Sequence, residues 1–471
     1  MWKAFSTTAD NITESSRQSF SSVVTNSLQP YTGKDFLMGK KVDIITMGCS
    51  KNLVDSERVI RLFEKEGMTV RHNPDKVGAD YVIINTCGFI GDAKEESINM
   101  ILECCRSKKE GHIGSVSVMG CLSERYREQL KAEIPEVDRW YGKFDWTKAV
   151  EDIVNSHPEA HRLWDRTITT PSHHAYLKIS EGCNRFCAFC AIPLITGRLK
   201  SRPVEEILEE VRELVARGVK EFNVIAQDLS SYGTDLYGHH DLARLIEEIA
   251  CVPGVEWIRL HYAYPADFPY DILPVMAKYP NVCRYIDIAL QHCSDKVLDN
   301  MRRHITAAET ERLLDRIRHE VPGIHIRTTL MVGFPGEGDA EFNELLEFVK
   351  RQRFERMGAF AYCEEDDTYA ARNFEDAVSE SVKQQRLDRL MELQETISLE
   401  VNQAKIGEYL RVMCDGDNGE YYVCRSEFDS PEVDPEVLVR RSPGIELKAG
   451  NFYDVKIVEA MPYELIAEIC Q

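Results

Sequence analysis

Tyr-Leu-Lys-Ile-Ser-Glu-Gly-Cys-Asn-Arg-Phe-Cys-Ala-Phe-Cys (176–190) runs from a short apolar strand into a loop with three cysteines in C-x3-C-x2-C spacing. Outward from it, similar apolar runs recur, giving candidate strands at 176–180, 221–228, 257–265, 283–292, 325–333 and 356–363. Helical stretches fill the gaps. The first reads most cleanly, with Pro203 at its start, apolar Ile207, Leu208, Val211 and Leu214 at helical spacing, and Gly218 just past its end. Six such units predict a parallel sheet bent into an open, partial (β/α)6 barrel, related to the eight-fold one. Its site then lies at the carboxyl ends of the strands.

The loop says what that site holds. A four-iron cluster normally takes four cysteines, and the local motif supplies Cys183, Cys187 and Cys190. One iron is left open to chelate a small molecule. That arrangement suits the amino and carboxylate groups of S-adenosylmethionine. One electron, from an electron donor, then breaks the sulfonium bond and releases a 5′-deoxyadenosyl radical, with the protein positioning the cofactor. A zinc knuckle would want a fourth Cys or His nearby, and His173 and His174 lie on the wrong side of the strand. Strand-end position places Gln227, Asp228, Gln291, His292 and the loop 333–336 near the cofactor, with Phe189 against the adenine. The competing reading makes the polar groups loop-fixing residues and Phe189 part of the core.

A second cysteine pattern precedes this one. Strands are expected at 42–47, 81–86 and 115–119, each followed by a helix, and each ends in cysteine: Gly48-Cys49, Cys87-Gly88 and Gly120-Cys121. The helices are expected after Cys49 as far as Gly67, around 92–106, and from near Ser123. Alternation of this kind implies a parallel sheet, with ligands bound beyond the carboxyl ends of its strands. Any one cysteine here would be an ordinary small buried residue; three at the same structural position point to a shared metal or cluster. Cys104 and Cys105 fall inside the second helix and read as packing residues, and the remaining cysteines, without ligand spacing, read as structural.

Composition sets the frame. With 471 residues the chain suggests about three domains. No apolar run approaches the ~20 residues of a membrane span. Fifteen cysteines, an odd number, in a long chain without a secretory signal fit reduced thiols in a cytoplasmic protein rather than a disulfide framework. The net charge of −21 disfavours nucleic acid as the main partner. Residues 1–37, rich in Ser and Thr, read as a disordered tail or an over-long start before Met38; Asp10 and Glu14 sit poorly in a targeting segment.

Taken together, Met-Gly-Cys-Ser-Lys-Asn-Leu-Val-Asp-Ser-Glu (47–57), Asn-Thr-Cys-Gly-Phe-Ile (85–90), Met-Gly-Cys (119–121), the loop 182–190 and Gly-Arg-Leu-Lys-Ser-Arg (197–202) resemble the radical S-adenosylmethionine methylthiotransferases. The resemblance runs from about residue 41 to 471. It implies two four-iron clusters: a radical cluster on Cys183, Cys187 and Cys190, and an auxiliary cluster on Cys49, Cys87 and Cys121 that handles sulfur. It also implies two molecules of S-adenosylmethionine, one donating methyl to sulfur and one yielding the radical. Within the family the motifs look most like the branch that modifies the β-carbon of an aspartate in ribosomal protein number twelve of the small subunit. The alternative is a tRNA adenosine methylthiotransferase.

After a long helix at about 380–402 the chain turns β-rich, with runs at 421–424, 437–439 and 452–458. A small five-stranded antiparallel barrel is expected, in the position of the family's TRAM domain. Residues 405–471 hold fourteen Asp and Glu against seven Lys and Arg, a net of −7. Such a module repels phosphate and attracts a basic ribosomal protein, so no direct tRNA substrate is expected. Five acids crowd residues 427–436, as a docking patch or as a solvated loop. The expected division is a tail over 1–37, an N-terminal α/β domain over 38–165, the partial barrel over 172–403 and the TRAM barrel over 404–471. An iron–sulfur electron carrier remains as a non-enzyme reading, but a carrier has no use for open irons.

Overall fold

The computed structural model describes residues 39–155 and 164–470; the expectations for 1–37 and Met38 lie outside them. The first layer runs β1 (Lys41–Thr46), α1 (Ser50–Lys65), β2 (Thr69–His72), β3 (Tyr81–Thr86), α2 (Gly91–Lys109), β4 (Ser115–Gly120), α3 (Cys121–Glu133), β5 (Arg139–Trp140) and α4 (Trp146–Val154). All its strands are parallel, in the order β2-β1-β3-β4-β5. Val42, Ile44 and Ile83 pack on α1 and α4, while Ile45, Val82, Ile84 and Val118 pack on α2 with Cys104 and Cys105. Burial on both faces is why these strands read as unbroken apolar runs. Helix α3 starts at Cys121 rather than near Ser123.

The central layer is β6 (His174–Lys178), β9 (Glu221–Ile225), β10 (Trp257–Ala263), β11 (Val282–Gln291), β12 (His325–Val332) and β13 (Arg356–Ala361), all parallel and adjacent in chain order. A short hairpin, β7 (Ser180–Glu181) with β8 (Lys200–Ser201), brackets the cysteine loop. One sheet face, with Leu177, Val224, Leu260, Ile288 and Ile326, packs on the crossover helices.

After the helix Glu380–Gln403 come β14 (Tyr409–Asp417), β15 (Tyr421–Ser426), β16 (Glu436–Arg440), β17 (Phe452–Ala460) and β18 (Glu464–Ile469). They close a five-stranded barrel, antiparallel at each seam except β16–β18, which is parallel. This barrel caps the amino ends of the central strands: His173 Nε2 meets Asp415 Oδ1 at 2.7 Å, Trp257 packs on Phe452, and His325 stacks on Phe428.

That docking engages part of the acidic stretch. Asp429 pairs with Arg356 at 2.8 Å and Asp434 with Arg327 at 3.3 Å. Glu427 accepts from the Arg284 N–H at 3.0 Å, and Glu432 from the Tyr176 hydroxyl at 3.2 Å. Asp429 and Asp434 thus neutralise arginines of the central sheet, while Glu432 and Glu436 stay exposed, so only part of the stretch 427–436 is engaged internally.

Candidate functional site

The first-layer cysteines sit where strand order reverses, since the chain leaves β1 outward to β2 and returns to β3 on its other side. Such a switch point opens a crevice beyond the carboxyl ends of the strands. Register levels the tips: Thr46 lies beside Asn85, and Asn85 beside Met119. Cys49, Cys87 and Cys121 follow within three residues. Two glycines let these turns approach. A Cβ on Gly48, whose φ is +87°, would lie 2.7 Å from Cys87 Cβ, and one on Gly88 would lie 2.6 Å from the Leu122 backbone. Asn52 ties the turns together, donating to the carbonyls of Met47 at 3.0 Å and Thr86 at 3.1 Å, while the Cys121 thiol donates to its Oδ1 at 3.5 Å.

The three thiols feel one another. Burial pushes Cys121 up to about 12, and Cys49 and Cys87 raise it further. Burial likewise raises Cys87, helped by Cys49. Crowding by protein works against a thiolate at Cys49 too, but Lys51, Lys143 and the Asn52 N–H outweigh it and leave this thiol below its ordinary value. Solvent still reaches Cys49, which lines a cavity of about 340 Å³ together with Tyr262, Asp287, Arg327 and Glu432.

Cys183, Cys187 and Cys190 form the second set, held by the β7–β8 hairpin and by backbone bonds from Cys183 N to Gly197 O and from Cys190 N to Cys187 O. Arg303 Nη1 donates to Cys187 Sγ at 3.2 Å, the Arg185 N–H lies 3.4 Å from Cys183 Sγ, and Tyr264 OH is 3.8 Å from Cys187 Sγ. Burial pushes Cys183 up to about 12 and also raises Cys190, whose thiol is opposed further by Cys187 and Cys183. Among the described residues no group of His, Cys, Asp or Glu is arranged to hold a single metal ion. Each thiol set suits a wider body: sulfur donors without a carboxylate or imidazole among them are the ligands of iron–sulfur clusters.

The two sets face each other. Cys121 packs against Ala191 and Ile195, just beyond Cys190. Lys94 and Arg125 both reach Glu365 at 2.9 Å, and the Tyr126 hydroxyl donates to Asp366 at 3.0 Å, joining the first layer to the loop after β13. The carboxyl edge of one sheet therefore lies over the carboxyl ends of the other.

Of the predicted cofactor contacts, Gln227 donates to Glu181 and Gln291 ends β11 with a φ of +71°. The amide oxygen of each is buried without a protein partner. Phe189 packs edge-on to Phe334, bringing the cysteine loop against the loop 333–336. Asp228 and His292 turn out to be loop-fixing. Asp228 holds Arg185 at 2.7 Å and caps Ser230, while His292 lies 3.2 Å from Glu337, which Arg386 pairs at 2.7 Å. Cys283, Cys293, Cys414 and Cys424 are buried as expected, but Cys251 and Cys363 are exposed. Sequence reasoning missed Asn52, Lys143, Glu181, Tyr264 and Arg303. For Asn52 a signal existed, because Asn52, Asp55, Ser56 and Glu57 leave α1 no apolar-only inner face.

Residues 177–349 match the profile of the Radical SAM superfamily, 41–142 that of Uncharacterized protein family UPF0004, and 406–470 that of the TRAM domain. The chain is thus a radical S-adenosylmethionine enzyme, the class that uses S-adenosylmethionine and a four-iron cluster. It is 58% identical over 428 residues to the ribosomal protein uS12 methylthiotransferase RimO of Phocaeicola vulgatus, covering 91% of this chain and 99% of the relative. The RimO of Christiangramia forsetii is 47% identical over 432 residues, covering 92% and 95%. The chain belongs to the family of ribosomal protein uS12 methylthiotransferases RimO. Its fold is shared with the radical S-adenosylmethionine methyltransferase TsrM of Kitasatospora setae, at a TM-score of 0.52 and 14% identity over 86% of each chain. Among the described residues no helix is long and apolar enough to cross a membrane.

Proposed function

We propose that this enzyme places a methylthio group on the β-carbon of an aspartate of ribosomal protein uS12, with Cys183, Cys187 and Cys190 holding a radical cluster and Cys49, Cys87 and Cys121 a second cluster. The observation that carries this is the packing of Cys121 against the turn that follows Cys190. It sets two sulfur-only donor groups edge to edge, each with three thiols and so one iron left open, for which an electron carrier has no use. When bound, the clusters and S-adenosylmethionine supply the carbon-centred radical and the methylated sulfur. The chain's own residues orient and shield. Arg303 and the Arg185 N–H neutralise charge on Cys187 and Cys183. Phe189, Gln227 and Gln291 contact S-adenosylmethionine, the two glutamines offering their unpartnered oxygens to its donors. The small barrel covers the amino ends of the central strands, and its loop through Glu432 walls the cavity at Cys49.

The substrate assignment rests on the relatives' identity, and the charge of the C-terminal module agrees with it. Docking of a basic protein there falls to outward carboxylates such as Glu420, Glu446 and Asp454, together with the exposed Glu432 and Glu436. We take 38–165, 172–403 and 404–471 as the three domains, and the cytoplasm, where ribosomal proteins and an electron donor are at hand, as the setting. The test is paired: peptide mass spectrometry of uS12 and nucleoside analysis of tRNA after reaction with reduced enzyme. A gain of one methylthio group on the uS12 aspartate is expected; the gain on tRNA alone overturns the assignment.

A further inference from the structure

Lys143 places a buried ammonium group among the first-layer cysteines, and nothing in the fold calls for it. Its side chain is 2% exposed. Nζ donates to Asn52 Oδ1 at 3.4 Å and to Asp55 Oδ2 at 3.0 Å. The same Asn52 oxygen lies 3.5 Å from Cys121 Sγ. One amide group therefore separates the ammonium from a thiol, and its field acts on both Cys49 and Cys121.

A lysine is buried at this depth only when paired, yet Asp55 does not depend on Lys143. Lys178 bonds Asp55 as well, and Arg58 lies 3.3 Å from it. Lys178 is shared with Glu181 at 2.8 Å. Nearby, Arg166 and Arg202 face Glu57, Glu210 and Glu206. At Asp55 itself three cations, Arg58, Lys143 and Lys178, meet one carboxylate. Lys143 is the member of that group on the thiol side, one amide away from Cys121.

A cluster on three thiolates becomes more negative when it accepts an electron. A fixed positive charge in a poorly screened interior stabilises that reduced form and so raises the potential. We infer that Lys143 is a positioning residue for the cluster on Cys49, Cys87 and Cys121, supplying the counter-charge that sets its reduction potential. This rests on the reading that those cysteines hold a cluster.

The test uses the full-length chain with Cys183, Cys187 and Cys190 changed to Ala, loaded with iron and sulfide without oxygen. Iron and sulfide content is measured, and the cluster is titrated reductively by electron paramagnetic resonance. The parent is expected to bind about four irons. Lys143→Met then moves the midpoint to more negative potential, Lys143→Arg restores it, and the exposed control Lys131→Met leaves it in place. Asp55→Asn removes a negative charge from the same patch and moves the midpoint the other way; it decides the matter if Lys143→Met does not fold. A parent that binds no iron overturns the reading of a cluster at these cysteines. A parent that binds iron while Lys143→Met and Asp55→Asn titrate unchanged, or shift in the same direction, overturns the role of Lys143.

Discussion

Arg425 of the small barrel and Glu221 of the central sheet meet out of solvent, with Nη2 2.8 Å from Oε2 and Nη1 3.0 Å from Oε1. Arg259 joins Glu221 from β10, and Asp415 holds Arg425 from β14. The network fixes the small barrel to the amino ends of the central strands. Removing one member leaves a buried charge without its partner. Glu221→Gln and Arg425→Met should each destabilise the protein by about 3–5 kcal/mol. The double variant should lose less than the sum, because each change already breaks the same pair. Chemical denaturation of the three variants checks this.

The same pair gives the molecule an acid limit. Burial pushes the Glu221 carboxyl up, but Arg425 and Arg259 outweigh it and hold it at about 2 against an ordinary value of 4.5. A depressed carboxylate lends stability that is fully present above the unfolded value and is lost as the pH falls toward the folded one. The gap in melting temperature between the wild type and Glu221→Gln should be constant above about pH 5 and shrink between about pH 4.5 and 2. A gap that does not change across that range would mean Glu221 is not ionised in the folded protein.

Gly48 makes a prediction that separates the two cysteine sets. Alanine there must hold a φ of +87° and bring its Cβ within 2.7 Å of Cys87 Cβ. The backbone term alone is about 1–2 kcal/mol, and the clash drives Cys49 away from Cys87. Gly48→Ala should lower the iron content by about four per chain. Release of 5′-deoxyadenosine should persist, because Cys183, Cys187 and Cys190 are untouched. Loss of both together would place Gly48 in the general fold rather than at one cluster.

Much of this was legible in the sequence because buried parallel strands have no polar face to interrupt them. The runs ending at Cys49, Cys87 and Cys121 could be read as strand tips, and parallel pairing then brought them level. Edge strands escaped notice: β5 has two residues, and β2 alternates half-buried and exposed positions at the margin of the sheet. Long-range charge pairing was hidden for a different reason. Asp429 finds Arg356 at a separation of 73 residues, and Asp434 accepts from Tyr285 at 149, so these two carboxylates look solvated until the barrel is docked. The polar inner face of α1 signalled that Asn52 and Asp55 meet something but not what, because the thiol and ammonium groups they meet arrive from elsewhere in the chain.

Gln291 tests the assignment of the S-adenosylmethionine pocket. Its backbone is left-handed, and its amide oxygen is buried with no protein partner. Strain and an unpaired polar atom at one residue persist where function holds them. In the absence of S-adenosylmethionine, Gln291→Leu should not destabilise the enzyme, since removing an orphaned oxygen relieves a penalty of about 1–3 kcal/mol. Binding of S-adenosylmethionine should weaken about five- to tenfold, the equivalent of about one hydrogen bond. Iron content should stay unchanged, because none of the six cysteines assigned to the clusters is altered. Anaerobic calorimetric titration, beside melting curves of the unliganded variant, measures both halves. A clear fall in melting temperature with unaltered affinity would return Gln291 to the strand end as a structural residue.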